Sequence, residues 1–313
     1  EFKSYSGTAR LGDDELKFVD SADITVSANS LVNITGGNLP PSAVNLAYTM
    51  PTMRLSIYDN QLYGDAERMY GAGTGGNDVL SFVDDLHINL NATAAGAGSS
   101  AVANFNLFIG GNILIGDAGE MIGGAGGNDV ISMGRNIQWQ RSGQTNLSIN
   151  IGLNYLVGDA RALKSGARGG DDTLTGADVE DGITSIIGDA LSAEADTSGG
   201  NDRLISGSGQ DYMWGDFWGV SRPAPAVHGA FGADVFVFSE NNGSDVIYDF
   251  HLSEDKIEIK GLANIRRFSD LSSKIMISDT DDSNCVIALD ASNSITLIGI
   301  QAAQLTADDF LFS

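Results

Sequence analysis

The feature that most constrains this chain is a glycine-dense segment that occurs four times with aspartates at a nearly fixed interval. Its second copy reads IGDAGEMIGGAGGNDVI at 115–131. Internal repeats are sought first, because a missed repeat misassigns the whole fold. Ordered glycines lose more backbone entropy on folding than other residues, so their repetition predicts a structural need for each one. The four copies span 63–80, 115–131, 157–174 and 187–204.

Two sets of intervals separate the fixed part of the repeat from its variable part. The aspartate of each GDA turn precedes the last aspartate of each GG(N/D)D turn by 13, 12, 13 and 13 residues. From that second aspartate to the next Gly-Asp turn the interval falls, as 39, 30, 17 and 14 residues. The constant interval indicates a geometric requirement, and the falling one indicates an arm that shortens along the chain. The bounding aspartates are Asp65 and Asp78, Asp117 and Asp129, Asp159 and Asp172, Asp189 and Asp202, and then Asp216.

The arms between the repeats are predicted to be β-strands. They alternate apolar with polar residues or are rich in β-branched ones, and helical periodicity is nearly absent. The sequence therefore predicts an all-β parallel roll or solenoid with strand insertions and capping strands at both ends. The predicted strands are LHINL (86–90), FNLFI (105–109), LSINIGLNYL (147–156) and ITSII (183–187).

Composition predicts three regions along the chain. Residues 1–56 carry β-like stretches such as ITVSA and LVNIT, and we expect them to form an N-terminal cap. Residues 57–250 contain the repeats. Residues 251–313 are less glycine-rich and read as closing strands, among them KIMIS, CVIALD and SITLIGI.

Charge and cysteine content restrict the partners of the chain. Its 17 Lys and Arg against 41 Asp and Glu give a net charge of −24, which disfavours nucleic acid and anionic membranes and favours a cationic partner. The single Cys285 excludes an internal disulfide, so a metal is the natural substitute. No apolar run of about 18 residues predicts a membrane span.

The chemistry of the turns indicates calcium. Ca²⁺ binds six to eight oxygens from carboxylates and backbone carbonyls, and glycines at positive φ can turn carbonyls inward. The nonapeptide G-G-x-G-x-D-x-U-x is a known calcium-binding β-helix repeat. The predicted ligand residues are Asp65, Gly75, Asn77, Asp78, Asp117, Gly126, Asn128, Asp129, Asp159, Gly169, Asp171, Asp172, Asp189, Gly199, Asn201, Asp202, Gly207, Gly209, Asp211, Asp216, Asp234 and Asp245.

On these motifs the chain resembles the RTX family, the hemolysin-type calcium-binding repeat proteins. GAGGNDVIS (124–132) and GSGQDYMWG (207–215) match the nonapeptide best. The resemblance implies a β-roll that holds several Ca²⁺ ions. Two departures are the GDA turns, where the family has a glycine doublet, and the long arms, which interrupt a regular coil.

The C-terminal part is similar to type I secreted RTX proteins, including serralysin-like proteases. GADVFVF, NGSDVIYDF, EDKIEI and a final DDFLFS follow in the family's order, whereas the first ten residues lack the apolar core of a secretory signal. The resemblance implies export by a type I secretion apparatus to the extracellular space or cell surface. Because crowded aspartates repel one another until cations neutralise them, we expect metal binding and folding to be coupled.

The expected function is that of a secreted calcium-binding module with a structural or adhesive role. Its expected contact is an extracellular glycan or a surface protein. The alternative is the C-terminal RTX portion of a larger secreted hydrolase or polysaccharide epimerase. We expect no enzymatic activity from this chain, because His87, His228 and His251 are scattered, and neither HExxH nor GxSxG occurs.

An aromatic cluster in DYMWGDFWG (211–219) leaves two interpretations open. Tyr212 and Trp214 would lie on one face of a strand and pack in the core, and this is the preferred interpretation. The rings of Tyr212, Trp214, Phe217 and Trp218 would alternatively stack on sugars, because aromatic rings combine broad apolar faces with polar edges.

Overall fold

The computed structural model describes most of the chain after residue 60 and parts of the chain before it. The described residues are 5–6, 13, 15–27, 44–47, 52–58, 60–91, 103–134, 136–142, 145–179, 182–218, 231–278 and 281–313.

Short strands account for most of the regular structure, as the alternating pattern predicts. The strands up to residue 132 are β1 (Tyr5–Ser6), β2 (Glu15–Ser27), β3 (Val44–Ala47), β4 (Thr52–Tyr58), β5 (Gln61–Tyr63), β6 (Ala66–Tyr70), β7 (Val79–Asn91), β8 (Ala103–Gly110), β9 (Ile113–Ile115), β10 (Ala118–Ile122) and β11 (Val130–Ser132). Those that follow are β12 (Asn136–Ser142), β13 (Thr145–Ile151), β14 (Leu153–Val157), β15 (Leu163–Lys164), β16 (Thr173–Thr175), β17 (Ile183–Ile187), β18 (Arg203–Ile205), β19 (Gln210–Trp214), β20 (Val235–Phe238), β21 (Ser244–Ile247), β22 (Lys256–Ile259), β23 (Ile275–Ile277), β24 (Cys285–Ala288), β25 (Ser294–Leu297) and β26 (Phe310–Phe312).

Helical structure in the described residues is limited to short segments near the C-terminus. These are α1 (Phe268–Leu271) and two 3₁₀ turns, Ala302–Gln304 and Ala307–Asp309. No helix among the described residues has the length and apolar character needed to cross a membrane.

The strands stack into four sheets that run along one axis. The first sheet has the order β26-β22-β20-β18-β16-β11-β7-β2-β3, with β12 also paired to β7. The second has the order β23-β24-β25-β21-β19-β17-β14-β9-β5, the third β1-β6-β10-β15 and the fourth β13-β8-β4. The described pairs are parallel except for β23 with β24 and β24 with β25. The chain is therefore a parallel β-solenoid, as predicted.

The main core lies between the first and second sheets. Leu114 of β9 aligns with Leu156 of β14, and Ile131 of β11 aligns with Leu174 of β16, so equivalent side chains stack in register from coil to coil. All four side chains are fully buried. Since parallel pairing places the same repeat position at the same height of each coil, the repeat predicts these apolar columns.

A second, smaller core lies outside the first. The chain between each GDA turn and the following GG(N/D)D turn encloses Ala118, Met121, Ala160, Leu163 and their counterparts in other coils. Each coil thus has a main body and an outer lobe. The chain leaves the main body at the GDA turn and returns at the GG(N/D)D turn, and we call the meeting point of these two turns the neck.

The arms are strands that extend the coils near the N-terminal end. β7 pairs with β2 from Glu15 to Ser27 and also with β12, while β4, β8 and β13 form the fourth sheet. Strands occupy all four segments predicted for the arms. The N-terminal strands pair with the first repeat in parallel, as successive coils do. The proposed three-region division stays a prediction, and the LVNIT stretch and His228 lie outside the described residues.

Candidate metal centre

The first acid ladder consists of the GDA aspartates and the equivalent Asp216, which stack at the neck where β5, β9, β14, β17 and β19 end. In the four repeats the carboxylate accepts a hydrogen bond from the second glycine of the GG pair in the same coil, and Asp216 accepts one from Gly232 N–H. Gly170 N–H donates to Asp159 Oδ1 over 2.7 Å, and Gly200 N–H donates to Asp189 Oδ1 over 2.7 Å. These bonds join the two turns of a coil. The ladder comprises Asp65, Asp117, Asp159, Asp189 and Asp216.

The second acid ladder consists of the last aspartates of the GG(N/D)D turns and joins neighbouring coils. Asp129 N–H donates to Asp172 Oδ1 over 2.7 Å, and Asp172 N–H donates to Asp202 Oδ1 over 2.8 Å. The Oδ1 atoms of Asp129, Asp172, Asp202 and Asp234 thus each accept a hydrogen bond from the preceding coil. The ladder comprises Asp78, Asp129, Asp172, Asp202 and Asp234.

The neck is distinguished by the second oxygen, Oδ2, of several of its carboxylates. Several Oδ2 atoms are buried and accept no hydrogen bond from the protein. Buried polar atoms are nearly always hydrogen-bonded, so a row of buried oxygens without donors indicates a ligand that supplies positive charge. These atoms are Oδ2 of Asp129, Asp159, Asp172, Asp189, Asp202 and Asp234.

The repeated glycines are required by this arrangement. A Cβ at Gly116 of a GDA turn would overlap both Asp129 Oδ2 and the carbonyl oxygen of Gly158 in the next coil. A Cβ at Gly126 would overlap Asp159 Oδ1. The same relation recurs at the predicted glycines Gly75, Gly169 and Gly199, each of which lies against a carboxylate of the first ladder. Glycine thus lets carboxylate and carbonyl oxygens converge at the neck.

The electrostatics of the neck follow from burial and from crowding of like charges. Burial raises the pKa of Asp129 to about 8. Burial, followed by repulsion from neighbouring aspartates, raises the pKa of Asp159 and Asp189 well above the ordinary range. Without a cation these carboxyls favour their protonated form, so a bound cation and protons compete for the same oxygens.

The first two coils bring three predicted ligands close together. One carboxylate oxygen each of Asp65, Asp78 and Asp117 lies within 4.8 Å of the other two. Neck donors of this kind are all oxygens, from carboxylates and glycine carbonyls, which is the set that Ca²⁺ prefers. The residues present therefore fit calcium.

The residue directly before each aspartate of the GG(N/D)D turns points its side chain out to solvent, away from the neck. Asn77, Asn128, Asp171 and Asn201 are exposed, because successive side chains of an extended segment face opposite sides. They form an outer row in which Asn128 N–H donates to Asn77 Oδ1 over 3.1 Å and Asn201 N–H donates to Asp171 Oδ1 over 2.8 Å. The structure thus separates these four predicted ligands from the buried carboxylates.

A third line of polar residues crosses the second sheet at its opposite end, and we call it the polar ladder. Asn112 donates through both its backbone N–H and its Nδ2 to Asn154 Oδ1, over 3.2 and 2.8 Å. Strand register then aligns Asn154 with Thr184 and Thr184 with Asp211. The ladder comprises Asn60, Asn112, Asn154, Thr184, Asp211 and Asp245.

The predicted ligands Asp211 and Asp245 belong to this polar ladder and do not reach the neck. Asp211 Oδ2 accepts from Gly207 N–H and from Ser206 Oγ, over 2.8 and 3.1 Å. Asp245 Oδ2 accepts from Asn242 Nδ2 over 2.7 Å, and its Oδ1 accepts from Asp211 N–H over 2.9 Å. Burial raises the pKa of Asp211 to about 6.

A Cβ at the predicted ligand Gly209 would overlap the carbonyl oxygen of Gly182. This glycine is therefore needed for close backbone packing beside the polar ladder.

Sequence reasoning missed the residues that end the acid ladders. Asp249 accepts from Gly215 N–H and Asp216 N–H, over 2.8 and 3.2 Å. Asp255 Oδ1 accepts from Asp234 N–H over 3.0 Å. Neither follows a glycine in the sequence, so no turn signature marked them. The only signal was their place after the last coil.

Similarity to known proteins is low. No family model matches the chain, and no curated protein matches it. Among solved structures, the extracellular lipase LipA from Serratia marcescens is similar at 14% identity, with a TM-score of 0.26. The alignment covers 75% of this chain and 40% of the lipase, so the chain spans less than half of the lipase's length. Fold and site together define a parallel β-solenoid with buried acid ladders at its neck.

Proposed function

We propose that this protein is a secreted calcium-binding module of the RTX type that folds when it binds extracellular Ca²⁺. The observation that carries the proposal is the row of buried Oδ2 atoms without hydrogen-bond donors at the neck. An ionised carboxylate buried without a partner costs several kcal/mol. Cations seated among these oxygens would remove that cost in every coil at once.

Calcium is favoured over other metals by the donor set of the proposed sites. The ligands would be Oδ2 of the second-ladder aspartates, carboxylates of the first ladder and glycine carbonyls of the next coil. Zinc prefers sulfur and nitrogen ligands, and Mg²⁺ demands near-ideal octahedral geometry and keeps several waters. A stack of flexible, oxygen-only sites suits Ca²⁺ better than either ion.

The proposal extends to location and role. Where free calcium is scarce the neck carboxylates repel one another, so folding would wait until export to a calcium-rich medium. The resemblance of residues 231–313 to type I secreted proteins supports that route. We propose a structural or adhesive role for the folded module, based on binding and without catalysis.

The test of the proposed function is the dependence of folding on calcium. At a pH near the raised pKa of Asp129, about 8, we expect the chelator EGTA to abolish most of the β-sheet circular dichroism signal. Adding back calcium should restore it, and adding magnesium should not. An unchanged spectrum and melting temperature in EGTA would show that metal does not hold the fold.

A further inference from the structure

The outward face of the second sheet differs in charge from the rest of the molecule. Side chains of its parallel strands point alternately into the main core and outward. None of the outward positions in β5, β9, β14, β17, β19, β21 and β25 holds Asp, Glu, Lys or Arg, in a chain with 58 such residues (17 + 41). Ile115, Val157 and Ile187, at the neck end of this face, are fully buried in an apolar cluster with Trp214, so the accessible part is the remainder. The only acids of these strands, Asp211 and Asp245, lie inward on the polar ladder.

Aromatic side chains occupy this uncharged face. Trp214 and Tyr248 are stacked, with ring centroids 4.4 Å apart and an interplanar angle of 4°. Tyr212 lies 6.2 Å from Tyr248, and Trp218 lies 6.4 Å from Trp214. Trp214 is buried, Tyr212 and Tyr248 are half-buried, and Trp218 is 48% exposed. Packing of Trp214 therefore leaves three neighbouring rings with accessible surface.

The polar groups beside these rings are hydroxyls and carboxamides. Tyr212 Oη donates to Gln210 Oε1 over 3.2 Å, and Tyr63 Oη donates to Gln61 Oε1 over 2.8 Å. Each phenol keeps its acceptor lone pairs, and each glutamine keeps its N–H groups on the same side of the ring. Neutral groups of both kinds match the hydroxyls of a sugar.

The spacing of the rings is set by the solenoid. Register aligns Tyr155 with Ser185 and Ser185 with Tyr212, so the two tyrosines lie two strands apart. Parallel strands are about 4.8 Å apart, which places these tyrosines about 10 Å from each other. That separation is close to the length of a disaccharide unit in an extended glycan.

We propose that the uncharged face, centred on Tyr212, Trp218 and Tyr248, binds an extended neutral oligosaccharide. The inference names the glycan partner of the adhesive module and in that respect rests on the proposed function. Aromatic faces would stack on the apolar sides of sugar rings while the Tyr–Gln pairs bond their hydroxyls. The net charge of −24 opposes acidic glycans. The hydroxyl-lined border favours a sugar over an apolar protein surface.

The test uses the full chain in calcium, after circular dichroism has shown it to be folded. Calorimetry would measure binding of neutral hexasaccharides of β-1,4-glucan, β-1,3-glucan, α-1,4-glucan, β-1,4-xylan and β-1,4-mannan, with a galacturonate hexasaccharide as the acidic probe. We expect at least one neutral probe to bind and the acidic probe to bind at least about tenfold more weakly. Binding to none of the neutral probes, or preference for the acidic one, would overturn the proposal.

Single substitutions test whether the glycan binds on the uncharged face. Trp218→Ala and Tyr212→Ala should each weaken binding about tenfold or more, and Tyr212→Phe should weaken it less because the ring remains. Phe108→Ala is the matched control, since Phe108 is an aromatic residue 38% exposed outside this cluster. Equal loss in the control, or no loss in Trp218→Ala, would contradict the assignment. A chain that folds in EGTA and still binds the glycan would refute the calcium proposal alone.

Discussion

The neck and the polar ladder lie at opposite ends of the same strands, yet their buried polar atoms differ in whether the protein supplies a hydrogen-bond partner. At the polar ladder, the Asn154 amide and the Asp211 carboxylate are paired with donors from the protein. At the neck, Asp172 and Asp202 each use one oxygen for the next coil and leave Oδ2 without a donor. The polar ladder is complete as protein alone, whereas the neck requires protons or a cation.

This difference separates two kinds of contact in one solenoid. In the folded chain, the coils stack through apolar columns and the polar ladder, and those contacts need no ligand. We expect the neck to couple the outer lobes to a cation, because among the described residues the buried carboxylate oxygens without hydrogen-bond donors lie there. Loss of calcium should therefore act first at the neck.

The largest effect in a single variant is expected from Gly126→Ala. Its new Cβ would overlap Asp159 Oδ1 and crowd Asp117 Oδ2 at the neck, so we expect a loss of about 3 kcal/mol or more in the free energy of unfolding. The calcium concentration needed for folding should also rise. Calcium titrations monitored by circular dichroism would measure both.

Gly166→Ala is the control for that variant. Gly166 has φ +72° and no atom closer than 3.9 Å to an added Cβ, so only the left-handed backbone is penalised, by about 1–2 kcal/mol. Its calcium requirement should follow stability alone. If both glycine variants shift the calcium titration equally at equal stability, the neck glycines have no special role.

A smaller and more selective effect is expected from Asp172→Asn. Asparagine keeps an acceptor for Asp129 N–H but removes the charge, so the calcium midpoint should rise about tenfold. In EGTA, at a pH low enough for the calcium-free chain to fold, the melting temperature should stay the same or increase, because one buried ionisable group is gone.

Asp211→Asn supplies the contrast at the polar ladder. It loses an acceptor for Gly207 N–H or Ser206 and should cost about 1–3 kcal/mol with and without calcium. A calcium midpoint that rises as far as in Asp172→Asn would place an ion at Asp211 as well, which the sequence predicts and no observation tests.

A further contrast concerns the pH dependence of the calcium-free protein. The folded pKa of Asp129 is raised from 3.8 to about 8, so its contribution to stability is complete below 3.8 and is lost as pH rises to about 8. For Asp211 the loss ends at about 6. Calcium affinity should instead increase with pH, since Ca²⁺ binds the deprotonated carboxylates.

Melting temperatures measured from about pH 4 to pH 8 should therefore fall in EGTA and rise in excess calcium. Parallel trends in the two conditions would contradict competition between protons and calcium at the neck.

The repeat made much of this arrangement predictable. The constant interval from Asp117 to Asp129 predicts paired turns. The positive φ expected of the turn glycines is not found at Gly116 or Gly126. These glycines are needed because carboxylate oxygens approach their Cα atoms too closely for a Cβ. The turn motif predicted Asn128 as a ligand, whereas the alternation of side chains in an extended segment turns it outward. The parallel solenoid and its arms followed from periodicity.

Other parts of the site left no local signal. Isolated asparagines such as Asn112 and Asn154 become a ladder only when coils stack in register, and register depends on the whole coil. Asp249 and Asp255 reach the neck from a segment without glycine turns. The positions of these residues therefore depend on how distant coils stack, which local sequence patterns do not encode.

The most direct test of the neck as the calcium site is a crystal grown in calcium, with anomalous difference peaks located against the refined chain. We predict peaks between successive coils beside Oδ2 of Asp129, Asp172 and Asp202. A well-ordered neck without peaks, with those carboxyls present as neutral acids, would contradict the assignment.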